Sequence, residues 1–316
     1  MPNLRVGERR WPVDVASNLL DALHQAGIAI PYSCRAGSCH ACLVRCLEGE
    51  PLDARPEALA AAKREQGWRL ACQCRVVADL AVEVFDPLKD GMPAQVIGCD
   101  WLSANLLRLR LEPQRMQRYR AGQHQVLWSA NGIARPYSLA SLPGEDPFLE
   151  FHIDCRHRGA FCSAARQLQP GDHLRLGELR GGALHYDLDW QERPLLLLAG
   201  GSGLGPLWGV LRESLRQQHQ GSIRVIHLAH DSTEHYLAGD LRQLEQQHPQ
   251  LQVRLVTAVE LQAALAELRL LARQAVALVC GSAVSAETFA KSLYLAGVAR
   301  NRVLTDVFLG AGDTVR

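Results

Sequence analysis

Hydrophobic and polar positions alternate from the start of the chain. Leu4 and Val6 precede Gly7-Glu8, and Trp11, Val13 and Val15 follow, which predicts a β-hairpin. Ser17 is placed to cap a helix through Leu19, Leu20 and Leu23, with Gly27 at its expected stop. A cysteine-rich loop runs from Cys34 to Cys46, and the apolar run Leu80 to Phe85 reads as a closing strand. Asp86 to Pro93 holds two prolines and a glycine and reads as a linker. Short apolar runs follow at Gln95 to Ile97, Leu106 to Leu111, Gln125 to Trp128, Tyr137 to Ala140 and Leu149 to Ile153. Turn residues separate them, so they predict a small antiparallel barrel or sandwich, with one helix starting near Ser163.

The pattern changes again at Leu195 to Ala199, a continuous apolar run expected of a strand buried on both faces. Helical periodicity at Leu207 to Leu215, Leu241 to Gln247, Leu261 to Leu271 and Ala286 to Leu295 alternates with strand patterns at Ile223 to Leu228, Val253 to Val256 and Ala277 to Cys280. Strand–helix alternation implies a parallel α/β domain.

Composition narrows the function. The 316 residues are enough for two or three domains, and a hydrophobic fraction of 47% fills ordinary cores and excludes disorder as the main state. With 34 Lys+Arg against 33 Asp+Glu, no basic excess exists for nucleic acid. Arg5, Glu8, Arg9 and Arg10 interrupt the opening, which lacks the apolar core of a signal peptide. Pro194 to Leu211 is uncharged but broken by Gly200, Gly201, Gly203, Gly205 and Pro206, so it reads as a buried strand and its loop, not a membrane span. The expectation is a cytoplasmic protein with no membrane or nucleic-acid partner, in which clustered cysteines mean metal or catalysis sooner than disulfides.

Four residues separate Cys34 from Cys39, two separate Cys39 from Cys42, and Cys72 and Cys74 lie downstream. This is [2Fe–2S] spacing: three thiolates converge from one tight loop, where Gly37, Ala36 and Ser38 let the backbone wrap closely. Zinc fits less well, because its structural sites favour paired short spacings at both ends. Either Cys72 or Cys74 can supply the fourth thiolate. Pro31 to Cys46 and Leu70-Ala71-Cys72-Gln73 resemble the plant-type ferredoxin module. That resemblance implies a β-grasp domain with Cys34, Cys39, Cys42 and Cys72 as ligands, and leaves Cys46, Cys74, Cys99, Cys155 and Cys162 as small buried hydrophobes.

Arg135-Pro136-Tyr137-Ser138-Leu139-Ala140-Ser141, Gly159 to Ser163 and Tyr119-Arg120-Ala121-Gly122-Gln123 resemble the flavin domain of the ferredoxin–NADP reductase superfamily. The resemblance implies an antiparallel FAD-binding barrel. Arg135 would bind a flavin phosphate with its planar fork, and Tyr137 would face the isoalloxazine. Ser138 would lie near flavin N5. Gly159 and Ser163, read at a helix start, would present free N–H groups and a hydroxyl to the pyrophosphate. The sequence departs from the superfamily at Gly177-Glu178-Leu179-Arg180-Gly181, where a Gly-Pro-x-Gly turn is usual.

Leu195 to Ala199 runs into Gly200-Gly201-Ser202-Gly203-Leu204-Gly205-Pro206 and then a helix. A strand, a glycine loop and a helix N-terminus make a phosphate site. This region, Cys280-Gly281-Ser282 and Asp306-Val307-Phe308 resemble the Rossmann-like NAD half of the same superfamily. The resemblance places Cys280 beside the nicotinamide, and Asp306 and Phe308 over the flavin, with Asp306 where glutamate is commoner. After the second strand, His230-Asp231-Ser232-Thr233-Glu234 carries two acids and no arginine, which favours NADH over NADPH.

Three modules are therefore expected: 1–88 for the cluster, 93–190 for the flavin and 193–316 for NAD. Their order resembles the single-chain reductase components of bacterial multicomponent oxygenases. It implies hydride transfer from NADH to FAD at a site lined by Ser138, Cys280 and Asp306, then single electrons to the cluster and on to a protein acceptor, an oxygenase or its ferredoxin. A reductase of deoxysugar synthesis and a non-enzymatic iron–sulfur redox sensor are the alternatives. Arg35, His40 and Arg45 are expected to form a positive rim beside the cluster for an acidic acceptor.

Overall fold

In the computed structural model, residues 1–156, 159–268 and 274–308 are described. The opening alternation folds into β1 (Asn3–Val6) and β2 (Arg9–Pro12), which turn at Gly7 with φ +58°. The helix α1 (Leu19–Gln25) is capped by Asn18, whose side chain accepts from the Asp21 N–H at 3.3 Å. Ser17, the expected cap, is instead drawn with Asn18 into the two-residue strand β3 and pairs with Val76. Then come β4 (Leu43–Glu48), β5 (Leu52–Asp53), α2 (Ala61–Glu65), β6 (Trp68–Leu70), β7 (Cys74–Val76) and β8 (Leu80–Val84). The main sheet runs β2-β1-β8-β4-β6, with β1 and β8 parallel, and a small sheet runs β3-β7-β5. Leu19, Leu20 and Leu23 of α1 share one apolar cluster with Leu4, Val44 and Val82 of the main sheet. This is a β-grasp arrangement.

A barrel follows, from β9 (Met92–Trp101), β10 (Leu106–Pro113), β11 (His124–Trp128), β12 (Ala134–Ser138), β13 (Leu149–Asp154), α3 (Ala160–Ala165) and β14 (His173–Arg180). The strand order is β12-β11-β14-β9-β10-β13, antiparallel throughout. A Leu139–Phe151 bridge and an Ala140 N–H donated to the Glu150 carbonyl at 2.8 Å join the two ends. The expected linker is shorter than read, because Pro93 already lies in β9 opposite Arg175. The Tyr137 strand begins earlier, at Ala134, since it pairs with all of β11. β14 was not expected, although Leu174 and Leu176 alternate with polar residues and are buried.

The last part comprises β15 (Leu195–Gly200), α4 (Leu204–Arg216), β16 (Ile223–Leu228), α5 (Ala238–Gln247), β17 (Leu251–Val256), α6 (Leu261–Glu267), β18 (Val276–Ser282), α7 (Ala283–Ala296) and β19 (Val303–Phe308). The end of the helix expected to reach Leu271 lies outside the described residues. The sheet order β17-β16-β15-β18-β19 is wholly parallel. Strand order reverses between β15 and β18, the place where open α/β sheets bind ligands. Leu195 to Ala199 are all at most 1% exposed, so the unbroken apolar run is explained by helices on both faces.

The barrel sits between the other two parts. On one side Phe85 stacks on Trp128 at 5.4 Å, and Lys63 pairs with Glu178 at 2.9 Å. On the other, Arg212 of α4 grips Asp146 through both carboxylate oxygens, at 2.6 and 3.0 Å. Among the described residues, no helix is long and apolar enough to cross a membrane.

Candidate functional site

The cysteine loop is built by left-handed turns. Arg35 has φ +50°, Gly37 +77° and His40 +57°. They curl the backbone so that the N–H groups of Ala36, Ser38 and Cys39 all donate to the Cys34 sulfur at 3.3 Å. The Cys39 thiol also bonds to Cys34; together these donors outweigh burial and hold Cys34 down to about 4, while Cys39 is pushed up. Cys42 and Cys72 form a second bonded pair. Cys42, and then Gln73, bring Cys72 down to about 7 against the cost of burial. Gln73 Nε2 fastens this pair to the loop, donating to the Arg35 carbonyl at 2.9 Å and the Cys72 sulfur at 3.3 Å.

The four thiols therefore stand as two pairs. Among the described residues, no three His, Cys, Asp or Glu side chains gather round a single metal ion. Two pairs suit two irons, each held by two thiolates, with loop amides directed at sulfur. Cys74 instead lies in the apolar core of the N-terminal sheet, fully buried, where burial pushes its thiol up.

Of the three residues expected to form a positive rim, His40 is buried while Arg35 and Arg45 are exposed. His40 is 5% exposed and faces the barrel; burial, with Arg180 and His124 beyond it, lowers it to about 3 and keeps it neutral. Arg35 pairs with Asp21 at 2.8 Å and lies over the Tyr32 ring, and Arg45 donates to the Gln66 carbonyl.

β12 presents Arg135, Tyr137 and Ser138 against β11, with Leu127, Gln125 and His124 opposite them. The Tyr137 ring lies 5.1 Å from Phe161, and burial raises its phenol well above the usual value. Ser163 is not at a helix start. Gly159 caps α3, and the Ser163 N–H is already donated to the Gly159 carbonyl at 2.8 Å, so it is not free for a phosphate.

His124 is a residue that the motif reading passed over. It opens β11, pairs across the sheet with Ser138 and Arg180, and lies against the Ser38 carbonyl of the cysteine loop. Burial lowers its pKa, although Asp306 opposes the shift; burial likewise raises Asp306. One barrel residue is thus within electrostatic reach of both other parts of the chain. His124 Nε2, His40 Nδ1 and Arg180 Nε are buried here without a protein partner. They mark a closed polar seam where the cysteine loop packs on the barrel. The available signal was position: His124 directly follows the Tyr119–Gln123 motif.

The glycine loop lies at the parting of β15 and β18. A β-carbon on Gly281 would stand 3.0 Å from the Gly200 Cα, and one on Gly203 would strike the Cys280 carbonyl. Gly201 has φ +53°. Ser202 lies in the single turn leading into α4. Cys280 is fully buried, which pushes its thiol far up and keeps it protonated. Asp306 and Phe308 sit on the neighbouring strand β19, paired with Cys280 and Ser282.

The two acids that favour NADH are both engaged. Asp231 caps its own turn through the Thr233 N–H at 2.8 Å, and Glu234 pairs with Arg156 of the barrel at 3.2 Å. A small cleft between barrel and glycine loop is lined by Asp154, Arg156, Gly201, Ser202, Glu234 and Tyr236, among others.

Residues 5–77 match the model of the 2Fe-2S iron-sulfur cluster binding domain, and 197–290 match the oxidoreductase NAD-binding domain. Terephthalate 1,2-dioxygenase reductase component 1 of Comamonas sp is 30% identical over 248 residues, 76% of this chain and 73% of that protein. The ferredoxin–NAD(P)+ reductase component of the naphthalene 1,2-dioxygenase system of Pseudomonas putida is 30% identical over 266 residues, 81% and 78% of the two chains. Among solved structures, the ferredoxin reductase in carbazole 1,9a-dioxygenase matches with a TM-score of 0.66 at 24% identity, over 98% of each chain; the FAD apo form of that reductase gives 0.63.

Proposed function

Because this chain belongs to the family of iron–sulfur reductase components of oxygenase systems, we propose that it draws electrons from NADH and delivers them singly to an oxygenase component or its ferredoxin. It is an NAD(P)H-dependent oxidoreductase with a [2Fe–2S] cluster and FAD as its cofactors. The observation that carries the proposal is the barrel's place between the other two parts: Lys63–Glu178 and Phe85–Trp128 join it to the cysteine module, and Arg212–Asp146 and Arg156–Glu234 join it to the nucleotide part. When bound, the flavin supplies the conversion between a two-electron hydride and the single electrons a cluster accepts.

The chain's own residues do the positioning. Cys34 and Cys39 would hold one iron, and Cys42 and Cys72 the other. The proposed division is 1–88, 93–190 and 193–316, with Met92 already in the barrel. Arg135 would bind a flavin phosphate, Tyr137 would pack on the ring and Ser138 would reach its reactive edge. Gly159 would allow close approach there, and Ser163 would offer only its hydroxyl. Gly200, Gly201, Ser202, Gly203 and Gly281 would admit the dinucleotide backbone. Cys280, protonated and dry, would lie beside the nicotinamide, and Asp306 and Phe308 would cover the flavin. NADH remains the proposed donor because no arginine or lysine follows β16 directly. The cytoplasm is the proposed compartment, since none of the ten cysteines is joined in a disulfide.

The test is an anaerobic visible spectrum of the purified holoprotein before and after NADH. Flavin and cluster bands that both bleach support the relay. A protein with no affinity for flavin, or bands unmoved by both NADH and NADPH, would overturn it.

A further inference from the structure

The cleft between barrel and glycine loop contains an ion pair that joins two parts of the chain. Arg156, just past the end of β13, reaches across to Glu234, just past β16, at 3.2 Å. Its guanidinium also lies 3.5 Å from Asp154, and its own N–H donates to that carboxylate at 2.8 Å. The Arg156 side chain is 39% exposed, so it can exchange partners, whereas Glu234 is 18% exposed and more fixed. The same cleft is lined by Gly201 and Ser202, which lead into the thirteen-residue helix α4. It is also lined by Tyr236, whose hydroxyl is buried and has no protein partner.

We propose that Arg156 is a dinucleotide-phosphate ligand held in reserve by Glu234, so that the pyrophosphate of NAD(H) must displace the carboxylate to bind. This rests on the reductase reading above. A guanidinium offers a phosphate two parallel charge-assisted hydrogen bonds, and the start of α4 supplies N–H groups and a favourable dipole from the other side. The Tyr236 hydroxyl adds a third donor. Glu234 competes for the same fork, and an affinity that depends on a freed group is reduced by the fraction of molecules in which it is free. Sequence distance concealed the arrangement: Arg156 and Glu234 are far apart in the chain and meet only through the barrel–nucleotide contact.

The two partners should then act in opposite directions. Equilibrium NAD+ binding is measured on the full holoprotein by calorimetry, with NADP+ in parallel and flavin and cluster absorbance recorded for every variant. Arg156→Gln should weaken NAD+ binding about tenfold, with Arg156→Lys intermediate because it keeps charge without the fork. Glu234→Gln should tighten binding about threefold and increase its salt dependence, because no ion pair is then broken in exchange. Changes should be equal for NAD+ and NADP+, as a contact to the shared pyrophosphate requires. A weaker Glu234→Gln variant would make the pair a structural bridge and overturn the proposal, as would an unaltered Arg156→Gln. A loss confined to NADP+ would move the contact to the 2′-phosphate and overturn it as well. If the wild-type protein binds neither dinucleotide, the reductase reading fails and takes this proposal with it.

Discussion

Gly203 packs directly on Cys280: a β-carbon on Gly203 would overlap the Cys280 carbonyl oxygen, a backbone atom that cannot rotate away. The glycine loop is thus held against β18 by backbone contact, before any ligand is considered. Gly201, two residues earlier, has open space beyond its Cα and needs glycine only for its φ of +53°.

These neighbours should respond differently to alanine. Gly201→Ala costs about 1 kcal/mol of backbone strain and leaves the sheet intact. Gly203→Ala must lift the turn before α4 off β18, and should cut NADH-dependent ferricyanide reduction by about a hundredfold while the cluster spectrum stays. Equal losses in the two variants would show that the loop's conformation, not its contact with Cys280, is what matters.

The two cysteines that both met the spacing should separate cleanly. Cys72 is paired with Cys42 and bonded by Gln73, whereas Cys74 is buried in the apolar core. Cys72→Ser should abolish or severely weaken the visible cluster bands and lower bound iron. Cys74→Ser should retain the iron and lose about 1–3 kcal/mol of stability, as a hydroxyl buried without a partner does. Iron retained in the first and lost from the second would reverse the assignment.

The cluster loop and the glycine loop were legible in the sequence because each is a local device. Spacing between Cys34, Cys39 and Cys42 is short enough to specify a single turn, and a strand–glycine–helix run specifies its own geometry. What was not legible depends on contacts between distant segments. His40 reads as an exposed loop charge until the barrel covers it. Ser17 and Asn18 are equally good caps until the fold opens the helix at Leu19, directly after Asn18. Ser163 reads as a helix start, but Gly159 begins that helix earlier. β14 was hidden by its Gly177, which reads as a turn and where the alternation of Leu174 and Leu176 changes phase to Leu179, at a register shift in the pairing with β11. Arg156 joined the nucleotide cleft only when the barrel was set beside α4.

A buried charge network braces the barrel where it meets α4. Glu150 accepts from Arg110 at 2.7 Å and contacts His152 at 3.1 Å; the His152 side chain is 1% exposed. Burial opposes the carboxylate, but His152 and Arg110 outweigh it and hold Glu150 down to about 2. A depressed carboxylate stabilises the fold above its unfolded value near 4.5, and that contribution fades as pH falls towards 2. Glu150→Ala leaves His152 without its carboxylate and Arg110 with only the more distant Asp100, and should cost about 3 kcal/mol at neutral pH by chemical denaturation. A loss below 1 kcal/mol would mean that solvent screens the network.

His227 should set an earlier step in acid lability. It is fully buried on β16. Its Nε2 bonds to the Gly201 carbonyl at 3.0 Å and its Nδ1 to His235 at 3.2 Å. A neutral ring satisfies both contacts: Nε2–H donates to the carbonyl, and Nδ1 accepts from the His235 ring. Burial first, then His235, lower His227 to about 4, although the Gly201 carbonyl favours the charged form. Between pH 6.5 and 4 the unfolded chain therefore binds a proton that the folded chain refuses. Stability is complete above about 6.5 and falls as pH drops to 4, by about 3 kcal/mol for a shift of this size. His227→Gln keeps a donor for Gly201 but cannot titrate, so its unfolding free energy should be flatter by that amount across the same window. Denaturant unfolding of both proteins at pH 7, 5.5 and 4 measures the difference. Parallel curves would show that His227 is not the group that couples the glycine loop to acid.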